Sequence, residues 1–210
     1  GSEVIKNAVL SYIEPYASAT WEMVADILQY FSDDIRIYNI EADALYSGIM
    51  IDTNNFTAKT GVRTFEAAAF LRRCGADVTR VRKMFRDDVK SYKAKAEAIR
   101  NVETYKGSFA ISVCPSEGID SPTVVASQAA NELLNVDSIR ASFVLTDYQN
   151  KIYISARAID EVNVQIIMER LGGGGHINMA GAQLPGISVN EAIRQLKETL
   201  DKMMKEGDID

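Results

Sequence analysis

The chain has 210 residues, 47% apolar and 25% charged, with 13 Gly and 4 Pro, which excludes disordered, collagen-like and low-complexity chains. That length holds one large domain or two small ones, each able to bury a core. A formal charge of -6 excludes non-specific wrapping of a nucleic-acid backbone, which needs a basic surface, although local basic pockets stay open. Cys74 and Cys114 have no CxxC companion and the chain has a single histidine, which excludes a zinc cluster, and nothing in the sequence suggests a secreted disulfide scaffold. Two reduced cytosolic thiols are expected.

No targeting segment is visible, and apolar runs such as Gly48-Ile49-Met50-Ile51 are far too short to span a bilayer. The chain therefore reads as a soluble intracellular piece.

The first helix is expected after Pro15, a residue suited to a first helical turn. It carries Trp21, Val24, Ile27, Leu28 and Phe31 at helical spacing and ends at Asp33-Asp34. Leu45 to Thr53 is an apolar run ending at Asp52; it reads equally as a short buried helix or as a strand leading into a polar tip. Thr64 opens the next helix, with Phe65, Ala68 and Leu71 on one face, Arg72-Arg73 in the last turn and Gly75 just beyond. Glu14 and Glu22 have no visible partner.

From Val78 to about Val102 the sequence is charged and helical, which reads as a solvated connecting helix and places the domain boundary there. The expected division is 1–88, a connecting helix over 89–102, and a second domain over 103–210.

The second part has a different character. Phe109 to Val113 alternates like a strand, and Ser121-Pro122 reads as a cap and first-turn proline for a helix carrying Val125, Ala129 and Leu133. Ile139 to Thr146 and Lys151 to Arg157 are expected as strands joined by a turn over Asp147-Tyr148-Gln149-Asn150. A helix over about Asp160 to Arg170, a short strand near Gln183-Leu184 and an amphipathic helix from Asn190 complete an α/β chain in two parts.

The sharpest feature is Leu171-Gly172-Gly173-Gly174-Gly175-His176. Flexible linkers are usually bracketed by polar low-complexity sequence. This run is instead held between the apolar helix end Ile166, Ile167, Leu171 and the segment Ala180-Gly181-Ala182. Bare backbone amides can approach a phosphate or a ring closely, and His176 can donate to a phosphate oxygen or stack on a base; a purely structural loop is the other reading. In the preceding strand Ser155 and Arg157 share a face, with Ile152 and Ile154 on the other. A guanidinium beside a hydroxyl suits a phosphate, and an arginine exposed on a half-solvated sheet is the alternative. Asp52, followed by Thr53-Asn54-Asn55, can bind a divalent metal or cap a turn. One carboxylate is not a metal site, because two-metal phosphodiester chemistry needs several ligands.

These residues resemble a known family. The glycine run with His176, Ala180-Gly181, Ile154-Ser155-Ala156-Arg157 and Asn163-Val164 are similar to the DHH-associated domain of the DHH phosphodiesterases. Tyr12 to Ser18, Gly48 to Thr53 and Thr60-Gly61-Val62-Arg63-Thr64-Phe65 resemble the later part of the DHH catalytic domain. The match is nearest to the bacterial membrane-anchored cyclic di-AMP phosphodiesterases. The resemblance implies a truncated C-terminal part of the DHH parallel-sheet domain, followed by a DHH-associated α/β domain with a mixed sheet. It also implies a phosphodiesterase that opens cyclic di-AMP to linear pApA with two manganese ions.

By motif position the resemblance makes Asp52 a metal ligand and makes Ser155, Arg157, Gly173, Gly174, Gly175 and His176 nucleotide-binding residues; Arg63 falls within a matching motif. The family's early Asp-x-Asp motif and its Asp-His-His signature are absent, so the resemblance reads the chain as a fragment with an incomplete metal site. That fragment is expected to bind nucleotide without hydrolysing it efficiently. Alternatives are a nanoRNase or pAp phosphatase of the same superfamily, or a non-catalytic nucleotide-binding module. The resemblance further implies a homodimeric parent in the cytoplasm, anchored to the membrane by upstream helices, with no membrane contact by this segment.

Overall fold

A computed structural model describes residues 20–31, 36–57, 60–159 and 162–209. The chain divides into two units between Arg86 and Asp87. Among the described residues, no helix is long and apolar enough to cross a membrane.

The described part of the first unit is helical: α1 (Thr20–Phe31), α2 (Asn39–Asp52), α3 (Val62–Arg73) and α4 (Val78–Met84). The ambiguous apolar run is thus the second half of α2, with Tyr46 and Ile49 buried one turn apart. Ala25, Ala42, Ile49, Ala67, Leu71 and Val81 make a core of small and branched side chains. Gly48 belongs to this packing, because a Cβ there would lie 2.3 Å from the Trp21 ring.

Two expectations for this unit are corrected. Phe65 does not share the buried face of Ala68 and Leu71; it is 57% exposed and stacks on Phe56 with ring centroids 5.7 Å apart. Glu22 is buried and does have a partner, accepting a 2.8 Å hydrogen bond from Thr64 Oγ1. Pro15, Glu14 and Asp33-Asp34 lie outside the described residues.

The second unit contains α5 (Val89–Arg100), β1 (Glu103–Tyr105), β2 (Phe109–Val113), α6 (Pro122–Leu133), β3 (Ala141–Tyr148) and β4 (Lys151–Ala158). It continues through α7 (Val164–Arg170), β5 (Gly174–His176), β6 (Met179–Pro185) and α8 (Val189–Glu206). The sheet order is β1-β2-β3-β4-β6-β5, with β2 and β3 parallel and the other pairs antiparallel. The mixed sheet is as expected.

Each face of the sheet has its own core. Phe143, Leu145, Ile152, Ile154 and Ala156 pack with Ile167 and Met168 of α7 and with Leu196, Leu200 and Met203 of α8. The α8 residues recur three or four positions apart on one face, and each fully buried side chain contributes about 1.5–3 kcal/mol. On the opposite face the helices are alanine-rich: Ala94 and Ala98 of α5, and Ala126, Ala129 and Ala130 of α6. Such small side chains let helix and sheet approach closely. Ser112 Oγ donates to Ala98 O at 2.5 Å and Ser142 Oγ to Ala130 O at 2.7 Å, so sheet hydroxyls tie directly to the helices.

The segment expected as a solvated connector is therefore two helices. Asp88 caps α5 by accepting from the Lys90 and Ser91 amides at 2.7 and 3.1 Å, and α5 buries an alanine face against the sheet. Ser121 precedes α6 without a side-chain cap bond, whereas Pro122 occupies its first turn as expected. The hairpin turn is shorter than expected: Asp147 and Tyr148 belong to β3, and only Gln149 and Asn150, both at positive φ (51° and 59°), turn the chain.

Candidate functional site

The sheet register assembles the predicted residues of the second unit. Ser155 lies opposite Gly181, and Gly181 lies opposite Gly174. Arg157 lies opposite Met179, and Met179 lies opposite His176. Directly opposed residues of an antiparallel pair point to the same face. Two neighbouring rows, Ser155–Gly181–Gly174 and Arg157–Met179–His176, therefore run across three strands on one face, about 7 Å apart along the strands. The intervening Ile154, Ala156, Ala180 and Ala182 point into the core shared with α7 and α8. The expectation that Ser155 and Arg157 share a face, with Ile152 and Ile154 turned to the core, holds in the structure.

Arg157 is only 8% exposed, so it is not an arginine on an open sheet. Its Nε donates to Asn131 Oδ1 at 3.0 Å, Nη1 to Ala156 O at 2.9 Å, and Nη2 to Ser127 Oγ. All three acceptors are neutral, and among the described residues Arg157 makes no ion pair. Burial pulls its guanidinium below the ordinary arginine range. A buried cation held only by neutral acceptors is a strong attractor for an anion. His176, at the far end of the same row, is exposed.

The glycine run is not a free loop. Gly172 and Gly173 turn the chain after α7, and Gly174 to His176 form the edge strand β5 against β6. The glycines are required for different reasons. A Cβ on Gly173 would sit 2.1 Å from Gly181 O, and one on Gly175 would sit 2.5 Å from Ala180 Cα, with φ already at +150°. These two are explained by close packing on β6. Gly174 has no positive φ, and among the described residues a Cβ there would meet nothing within 4 Å. Neither backbone nor packing demands glycine at that position.

Asp52 and Arg63 belong to the first unit. Asp52 is the exposed last residue of α2, ahead of a turn in which Asn54, Asn55 and Phe56 all have positive φ. Arg63 donates from Nη2 to Asp26 Oδ2 at 2.7 Å. Among the described residues, no group of three or more His, Cys, Asp or Glu could hold a metal ion. A single exposed carboxylate does not fit a pair of manganese ions, whose bridged geometry needs several oxygen or nitrogen ligands.

The sequence reading missed Ser127 and Asn131, the α6 residues that hold Arg157. Their four-residue spacing on an otherwise alanine-rich helix was a usable signal. It also passed over Gln183 and Met179, which alternate with the buried alanines of β6 on the site face.

Residues 106–206 match the family model described as the DHHA1 domain. Over 209 residues, 99% of this chain, the sequence is 44% identical to "Cyclic-di-AMP phosphodiesterase GdpP" of Bacillus subtilis (strain 168). It is 41% identical over 204 residues, 97% of the chain, to "Cyclic-di-AMP phosphodiesterase PdeA" of Listeria monocytogenes serotype 1/2a (strain 10403S). The chain spans 32% and 31% of the length of these two relatives. Among solved structures, an exopolyphosphatase-related protein from Bacteroides fragilis shares the fold, with a TM-score of 0.79 at 23% identity. That likeness covers 90% of this chain and 58% of the other. It is over residues 106–206 that the chain is similar to the DHHA1 domain family.

Proposed function

We propose that the chain serves a cyclic di-AMP phosphodiesterase, its DHHA1 domain holding the nucleotide that the enzyme opens to linear pApA. The names and 41–44% identity of the two curated relatives support the substrate. The observation that carries the binding reading is Gly174, kept bare where the chain itself has no need of a glycine. A ligand lying over β5 and β6 accounts for it, because a side chain there would fill the ligand's space.

On this reading each residue has a task. Arg157 presents its positive charge from a fixed position, since α6 and its own strand occupy one donor on each guanidinium nitrogen. His176 approaches the same phosphate from the exposed end of the row. Ser155 offers a hydroxyl beside the bare row. Together they bind and orient a phosphodiester, and orientation supplies part of a hydrolytic rate enhancement. Hydrolysis itself calls for ligands beyond Asp52. A nucleotide-binding module without catalysis of its own is therefore the second reading, favoured by the single carboxylate.

Incubation with cyclic di-AMP and manganese, read by chromatography, together with a calorimetric titration, tests this. The expected result is saturable binding with little or no pApA. Manganese-dependent turnover would show that the chain completes a metal site with ligands besides Asp52. Tighter binding of pAp than of cyclic di-AMP would favour a pAp phosphatase.

A further inference from the structure

A third row crosses the same face two residues beyond the bare one. Tyr153 of β4 lies opposite Gln183 of β6. Along β6 the face therefore reads Met179, Gly181, Gln183, and along β4 it reads Arg157, Ser155, Tyr153. The first and third rows are four residues, or about 13 Å, apart. That is the scale of a mononucleotide laid along the strands, from its phosphate across the ribose to the far edge of a purine. The middle row, with only the Ser155 hydroxyl, is where the sugar would lie unobstructed.

Gln183 is exposed, so its carboxamide is free to meet a ligand. Its Oε1 accepts from Lys151 Nζ at 3.4 Å, which leaves a second lone pair on that oxygen. Among the described residues, neither Nε2 hydrogen has an acceptor. Tyr153 is half-buried and rests against Tyr148 with ring centroids 6.3 Å apart, which fixes an aromatic surface beside the carboxamide.

We propose that Gln183 is the base-reading residue of this site and selects adenine over guanine, a proposal that rests on the nucleotide reading given above. A carboxamide offers one acceptor and one donor side by side. Adenine answers both, giving the N6 amino hydrogen and accepting at N7. Guanine presents two acceptors, O6 and N7, on that edge and leaves the carboxamide oxygen unmatched.

The test is a calorimetric titration of the 210-residue chain with AMP, GMP and ribose 5-phosphate, repeated for Gln183→Leu, Gln183→Glu and His176→Ala. The expected result is AMP binding about tenfold tighter than GMP. Gln183→Leu should lose about tenfold on AMP alone, with GMP, ribose 5-phosphate and Tm unchanged. Gln183→Glu should also weaken AMP, because a carboxylate has no hydrogen to give to N7. A Gln183→Leu variant that keeps the wild-type AMP-to-GMP ratio would overturn the proposal. So would equal binding of AMP and ribose 5-phosphate, even with both weakened in His176→Ala; the phosphate reading would then survive alone. Wild-type protein that binds none of the three probes would overturn the nucleotide reading as well.

Discussion

Gly174 lies directly opposite Gly181 in the β5–β6 pair, so the row that Ser155 begins crosses the next two strands without a side chain. The two glycines differ in what enforces them. A Cβ on Gly181 would lie 2.9 Å from Ile154 O, whereas one on Gly174 would meet open space.

That difference separates stability from binding within one motif. Gly174→Ala should leave the fold intact or stabilise it by about 0.4–1 kcal/mol, because alanine reduces the freedom of the unfolded chain. Gly175→Ala should cost about 1–3 kcal/mol, from its positive φ and the 2.5 Å approach to Ala180 Cα. Denaturant unfolding of the two variants checks both signs.

His176→Ala removes an exposed side chain, so Tm should stay within a degree or so of wild type. Affinity for cyclic di-AMP should fall about tenfold, the loss of one hydrogen bond to a charged group. Parallel thermal scans and titrations measure the two effects. Equal affinity in the variant would remove His176 from the site.

The thiols should differ in reactivity. Burial pushes the Cys114 thiol up to about 11, with the nearby Glu97 charge adding to it. Burial also raises Cys74, partly offset by Arg73, but Cys74 is only half-buried. At pH 8, iodoacetamide should modify Cys74 first and reach Cys114 only on unfolding. Peptide mapping by mass spectrometry reads the order.

In the first unit, Asp43 accepts from Arg80 Nε at 2.7 Å and from the Asp77 amide at 2.7 Å. The Arg80 hydrogen bond, ahead of the opposing effect of burial, holds the Asp43 carboxyl below its ordinary range. A carboxylate with a lowered folded pKa adds stability that is complete above its unfolded value, near 4. That stability is lost as pH falls through the lower folded value. Asp43→Asn should therefore destabilise the protein by about 1–3 kcal/mol at pH 7 and flatten its stability profile below pH 4. Urea denaturation across that range gives the answer.

Features with local causes were legible in the sequence. The β3–β4 hairpin follows from two strand-like runs around Asp147-Tyr148-Gln149-Asn150, and the α3 terminus from Arg72-Arg73 and Gly75. The shared face of Ser155 and Arg157 follows from strand periodicity alone. Features set by distant partners were not legible. Glycine has low strand propensity, so β5 exists because β6 pairs with it, not because of its own residues. The neutral holders of Arg157 lie 26 and 30 positions earlier, and the Glu22–Thr64 contact spans 42 positions. α5 looked solvated because its buried face is made of alanine, which carries little hydrophobic signal.

The most direct measurement is a calorimetric titration of cyclic di-AMP into the chain without divalent metal, with Gly174→Ala alongside. The account predicts saturable binding by the wild type and at least about a tenfold loss in the variant at unchanged Tm. Equal affinity in both proteins, or no binding by the wild type, would contradict it.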